Sequence, residues 1–94
     1  MKIATHNVEF LFEEGIHLHS GKQWEYSKEF VEERISHFSK LFTEINADIL
    51  LLQEVASASV IERIIAQTGI DYSYFFANPD QNGVGNAVLY KQKD

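Results

Sequence analysis

Positions 49 to 52 read Ile-Leu-Leu-Leu, with no polar residue to alternate against, and Gln53, Glu54 and Val55 follow without a turn residue. A short apolar run of this kind predicts a strand covered on both faces, the type found in parallel sheets packed under helices. What precedes it supports that pairing. Ser27 can cap a helix, Glu29, Glu32 and Glu33 sit near the positive end of its dipole, and Val31, Ile35, Phe38, Phe42 and Ile45 fall in one apolar stripe. Upstream, residues 2 to 9 alternate Ile3, Thr5 and Asn7 with Ala4, His6 and Val8, the period of a strand. A strand, a crossover helix and a fully apolar strand are the components of a parallel pair.

The remaining segments extend this order. Residues 10 to 26 contain two glycines and no recognisable period, and they read as a long loop. Ser59 and Glu62 have the spacing of a capping box before a second helix, whose buried face is Val60, Ile61, Ile64 and Ile65 and whose end is Gly69. Residues 71 to 78 and 84 to 91 read as two strands joined through the turn "PDQNG". The expected architecture is therefore α/β of the α+β type: a layered mixed sheet with two helices on one face, in the order strand, helix, strand, helix, strand, strand. At 94 residues and 45% hydrophobic, the chain has material for one core and one domain.

Charge and composition narrow the chemistry. Eight basic against fourteen acidic side chains leave a net charge of −6, which disfavours broad electrostatic attraction to nucleic acid. It leaves room for a phosphate substrate bridged by a divalent cation. Cysteine is absent, so thiolate metal sites and disulfides are excluded. The start "MKIATHN" has no apolar core of a signal peptide and no run is long enough to cross a bilayer, so the default compartment is the cytoplasm.

In a parallel pair, both carboxyl-terminal strand ends lie on one edge of the sheet, where ligands tend to bind. Asn7 would close the first strand there and Glu54 the second. A carboxylate and a neutral amide suit a hard cation and its phosphate ligand: Glu54 can hold Mg²⁺, and Asn7 can bond a phosphate oxygen without repelling it. Glu9 is two residues beyond Asn7, on the same side of an ideal strand, and could add a contact through water. The plainer readings stand beside these, because a carboxylate after a strand also marks where the strand meets water and Asn at a strand end also caps turns. Glu9 likewise reads as a surface charge. His17 and His19 would share one side of an extended segment, but no third ligand accompanies them. Tyr72, Tyr74, Phe75 and Phe76 could stack bases, or form core.

Three segments also resemble one family. "KIATHNVEFLF" resembles the opening signature of the endonuclease/exonuclease/phosphatase superfamily, the exonuclease III and DNase I-like phosphodiesterases; "ADILLLQEV" looks like its second, an apolar strand ending in Gln-Glu; "GVGNAVLYK" is similar to its Gly-Asn-Ala strand. Together they cover essentially the whole chain, in the family's order. The resemblance implies that Glu54 is the metal-binding glutamate and Asn7 the active-site asparagine, with Glu9 near the metal or its water. Gly85 and Asn86 would lie at the substrate edge. It implies a Mg²⁺ cofactor, with Mn²⁺ as a substitute, and hydrolysis of a phosphodiester, nucleic acid among the candidates, by in-line attack of water. His6 stands where the family has an aromatic residue and reads as a packed neighbour of the site.

The family also carries a central Asp-x-Asn motif and a late Asp-His pair, and neither is present here. Asp80 to Asn82 repeats the letters of Asp-x-Asn, but between Pro79 and Gly83 it reads as a turn. The expectation is an amino-terminal part, half of a four-layer α/β sandwich, inactive by itself. The competing expectation is a non-catalytic module that self-associates as a homodimer through a sheet face left uncovered.

Overall fold

A computed structural model of the chain describes residues 1–19, 21–77 and 84–92. Eight elements follow one another: β1 (Ile3–Leu11), β2 (Gly15–His19), β3 (Lys22–Tyr26), α1 (Lys28–Ile45), β4 (Ile49–Val55), α2 (Ala58–Thr68), β5 (Tyr72–Phe76) and β6 (Gly85–Lys91). The main sheet has the order β1-β4-β6-β5, with β1 parallel to β4 and the other neighbours antiparallel. This is the mixed sheet and helix order expected from the sequence. The turn "PDQNG" lies outside the described residues.

Local chemistry explains the helix ends. Ser27 Oγ accepts the Phe30 N–H at 3.1 Å, and α1 stops at Asn46, which takes the left-handed conformation with φ 49°. Its buried stripe is Val31, Ile35, Phe38 and Phe42, with Ser39 satisfied by the Ile35 carbonyl at 2.6 Å. Gly69, at φ 70°, ends α2 in the conformation that glycine adopts without steric penalty. The capping box does not form: α2 begins after Ser57, Ser59 Oγ donates to Glu13 Oε2 at 3.0 Å, and Glu62 accepts from the Tyr74 hydroxyl at 2.9 Å. Both side chains have tertiary partners that outcompete the local motif.

Two other expectations change. The segment read as a loop contains the hairpin of β2 and β3, in which His17 faces Trp24 and Ile16 faces Glu25. Gly15 and Gly21 take positive φ at its base and turn. Its strands are short and mostly exposed, so no buried alternation marks them in the sequence. The apolar run, moreover, is covered on one face only. Leu50 and Leu52 are 0% and 1% exposed, and they join Val8, Leu11, Ala87 and Leu89 in the core under the helices. Leu51, between them, is 38% exposed.

On the open face the strand register aligns side chains in rows. Ile3, Ile49, Tyr90 and Ser73 make one row; Thr5, Leu51, Val88 and Phe75 make the next. Phe75 is 67% exposed and Ile3 59%. None of these side chains is charged.

Tyr72 is the core's one phenol, and its hydroxyl donates to the Ala47 carbonyl at 2.6 Å. Burial, and then the Asp48 carboxylate, push its pKa above the usual 10.0. The folded state therefore holds this proton more tightly than the unfolded chain does. Its contribution to stability is complete below pH 10.0 and is lost as the pH rises through the higher folded-state value. Tyr72→Phe is expected to cost about 1–2 kcal/mol at neutral pH by leaving the carbonyl unbonded, and to flatten the alkaline decline, both readable from urea unfolding at neutral and alkaline pH.

Candidate site at the carboxyl edge of the parallel pair

Asn7 and Gln53 are register partners on β1 and β4, so Glu54, one residue further on, reaches the same edge as Asn7. Neither strand ends there as expected. Between paired positions, β1 uses four residues from Asn7 to Leu11 where β4 uses two from Gln53 to Val55. β4 in turn uses three residues from Leu52 to Val55 where β6 uses two. The surplus is absorbed by left-handed backbone: φ is 49° at Glu9, 54° at Phe10 and 60° at Glu54. Each such residue carries a Cβ against the following carbonyl, at about 1–2 kcal/mol. Apart from the helix cap Asn46, these are the non-glycine residues with positive φ among the described residues. Strain of this kind collects at functional edges.

The bulge alters the expectation for Glu9. Strand alternation would put it on the side of Asn7, but alternation does not run through two left-handed residues, so that inference loses its basis. Glu9 is exposed, and its N–H donates to Asn7 Oδ1 at 2.8 Å. Asn7 thus closes the turn that starts the bulge, and its amino group remains a donor of the kind a phosphate oxygen needs. Glu54 is half-buried.

Beside Asn7, the third row of the open face continues in amides. Gln53 donates from Nε2 to Thr5 Oγ1 at 2.9 Å and to the Leu51 carbonyl at 3.1 Å, bridging the two parallel strands. Asn86, exposed and alternating with buried Ala87, follows on β6. Gly85 pairs with Val55, which brings it next to Glu54. The structure therefore gathers Asn7, Glu54, Gly85 and Asn86 at one edge. The donors are hard oxygens and amides, a set that fits Mg²⁺ retaining most of its water. No group of three or more His, Asp or Glu side chains arranged to hold a metal occurs among the described residues.

The histidines take other roles. His6 is half-buried, its ring edge 5.7 Å from Phe38 and 6.3 Å from Phe42. His17 stacks on Phe12 at 4.5 Å, and its Nε2 lies 2.7 Å from the Glu13 carbonyl, an acceptor, so that nitrogen donates. The side chain of His19, and the Asp80 to Asn82 segment, lie outside the described residues.

Sequence reasoning missed Arg34. From α1 it donates to the carbonyls of Phe10 at 3.0 Å, Glu9 at 2.8 Å and Val8, and its guanidinium lies 5.8 Å and 5.6 Å from the centres of the Phe30 and Phe38 rings. The available signal was an arginine four residues from each of two aromatics on one helix. Between β1 and β2, Glu14 pairs with Arg63 of α2 at 2.6 Å. Backbone hydrogen bonding first, and Arg63 second, hold the Glu14 carboxyl below its usual range.

No family model matches the chain, and no curated protein sequence is significantly similar to it.

The left-handed conformation of Glu54 reverses the ordinary rule that glycine weakens a strand. Glu54→Gly is expected to be more stable than Glu54→Ala by about 1 kcal/mol, as measured by paired urea titrations. Equal stabilities would contradict a positive φ at this position.

Proposed function

We propose that this edge is the amino-terminal part of a divalent-cation-dependent phosphodiesterase site, of the type found in the endonuclease/exonuclease/phosphatase superfamily. The observation that supports it most is the strand register, which brings Asn7, Glu54 and Asn86 to one strained sheet edge. In this reading the Glu54 carboxylate anchors Mg²⁺ or Mn²⁺. The Asn7 amino group bonds a non-bridging phosphate oxygen, and Gly85 and Asn86 border the substrate, a nucleic acid strand or another phosphodiester. The cation supplies positive charge where the attacked phosphate gains negative charge. The amides orient the ester at no cost in repulsion. The late Asp-His pair of that superfamily does not occur in this sequence, so binding without turnover is the expected behaviour.

The test is a Mn²⁺ titration of the 94-residue chain followed by paramagnetic broadening of its amide resonances. Broadening is expected to start at Asn7, Gln53 and Glu54 and to disappear in Glu54→Gln. Broadening that begins elsewhere, or survives that substitution, would sink the proposal. Hydrolysis of a phosphodiester in Mg²⁺ that Glu54→Gln abolishes would instead show that the site is complete.

A second reading has its own support. The two uncharged rows of the open face, in a chain with a net charge of −6, favour a non-catalytic module that pairs with a second copy. A charge-free face carries no repulsion to offset when the same patch meets itself across a two-fold axis. Four strands spaced about 4.8 Å apart and roughly 20 Å long give a footprint of only about 400 Å², against about 800 Å² per partner in standard interfaces. The expected behaviour is a reversible dimer that appears with rising concentration in sedimentation velocity and is abolished by Leu51→Lys. A monomer at every concentration would rule the module out.

A further inference from the structure

We infer that Arg34 is the positioning residue of this edge: its guanidinium holds β1 in the left-handed bulge that follows Asn7 at the edge it shares with Glu54. The inference rests on the metal-site reading for its consequence, though not for its geometry.

Successive carbonyls of a regular strand point to opposite sides, so one side chain cannot collect three in a row. Arg34 does collect three, those of Val8, Glu9 and Phe10. It does so because Glu9 and Phe10 are left-handed, at φ 49° and 54°, which turns their carbonyls toward α1. The bulge and the clamp therefore support each other: the guanidinium bonds the carbonyls that the bulge turns toward it, and without the bulge the donors lose their targets. Only a guanidinium offers several N–H groups in a fixed fork.

The clamp is itself anchored. Its cationic end lies against Phe30 and Phe38, and α1 is bound to the core through Val31, Ile35 and Phe38. Tyr26 adds a longer bond from its hydroxyl to the Phe10 carbonyl at 3.4 Å, and Asn7 Oδ1 takes the Glu9 N–H. Arg34 thus connects the rigid helix layer to the residues that flank the proposed cation, without itself reaching cation or substrate.

The experiment compares the wild-type 94-residue chain with Arg34→Met, Arg34→Lys and Glu54→Gln. It reads amide hydrogen exchange by NMR and Mn²⁺ affinity from paramagnetic broadening. Arg34→Met keeps an unbranched apolar stem but no donors. It is expected to retain core protection in β4 and α1, to exchange Glu9, Phe10 and Leu11 much faster, and to bind Mn²⁺ about 10–100-fold more weakly, the usual loss when a support behind a metal ligand is removed. Glu54→Gln should do the reverse, losing Mn²⁺ while keeping the slow exchange at Glu9 to Leu11.

Wild-type exchange at those amides in Arg34→Met would overturn the clamp. Faster exchange with unchanged Mn²⁺ affinity would overturn its role at the site. If the wild type binds no Mn²⁺, the metal-site reading fails, and exchange alone decides whether Arg34 holds the bulge. Should Arg34→Met not fold, Arg34→Lys decides, because it keeps charge and stem while its single ammonium lacks the fork; wild-type values in that variant would overturn the inference.

Discussion

The parallel pairing of β1 with β4 is the constraint on which the rest depends. Two parallel strands need a connection long enough to return to the starting edge, and α1 supplies it, with Val31, Ile35 and Phe42 all but fully buried against the sheet. Once the two strands run the same way, Asn7 and Glu54 must emerge together. Everything proposed about chemistry follows from that coincidence. The antiparallel strands β6 and β5 then extend the sheet on the other side of β4 and bring Gly85 and Asn86 to the same end.

The second determinant is the misfit at that end. Extra residues on β1 and β4 are accommodated by three left-handed non-glycine residues, each unfavourable by itself. Such a conformation persists when its surroundings over-determine it. Here the surroundings are one guanidinium on three carbonyls, one amide on a neighbouring N–H and the bond from Ala56 N–H to the Leu11 carbonyl at 3.1 Å. The rigidity of the helix layer is thereby carried to a part of the sheet that would otherwise fray. The uncharged face of the sheet stands open, with Ile3, Leu51 and Phe75 exposed on it.

Where the sequence could be read, the reason was periodicity or a local stereochemical rule. The stripe on α1, the Ser27 cap, the Gly69 stop and the strand order all depend on contacts within a few residues or on an apolar face repeated many times. The hairpin of β2 and β3 was not legible because it buries little, and hydrophobic alternation is written only where a face is buried. The capping box at Ser59 was a false signal because Glu13 and Tyr74, distant in sequence, offered those side chains better partners. Leu51 misled for a related reason: an apolar residue reports that a strand favours cover, and cannot report whether the cover is there.

By itself, then, the sequence determined the elements, the pairing of the first two sheet strands and the residue types at their common end, because helix and strand periods and a carboxylate after an apolar run are local properties. The tertiary structure decided how that end is shaped. The bulges at Glu9, Phe10 and Glu54, the clamp from Arg34 and the bare face beneath Leu51 all arise between segments. A register mismatch between strands, or a hydrogen bond from residue 34 back to residue 10, has no period and leaves no local mark.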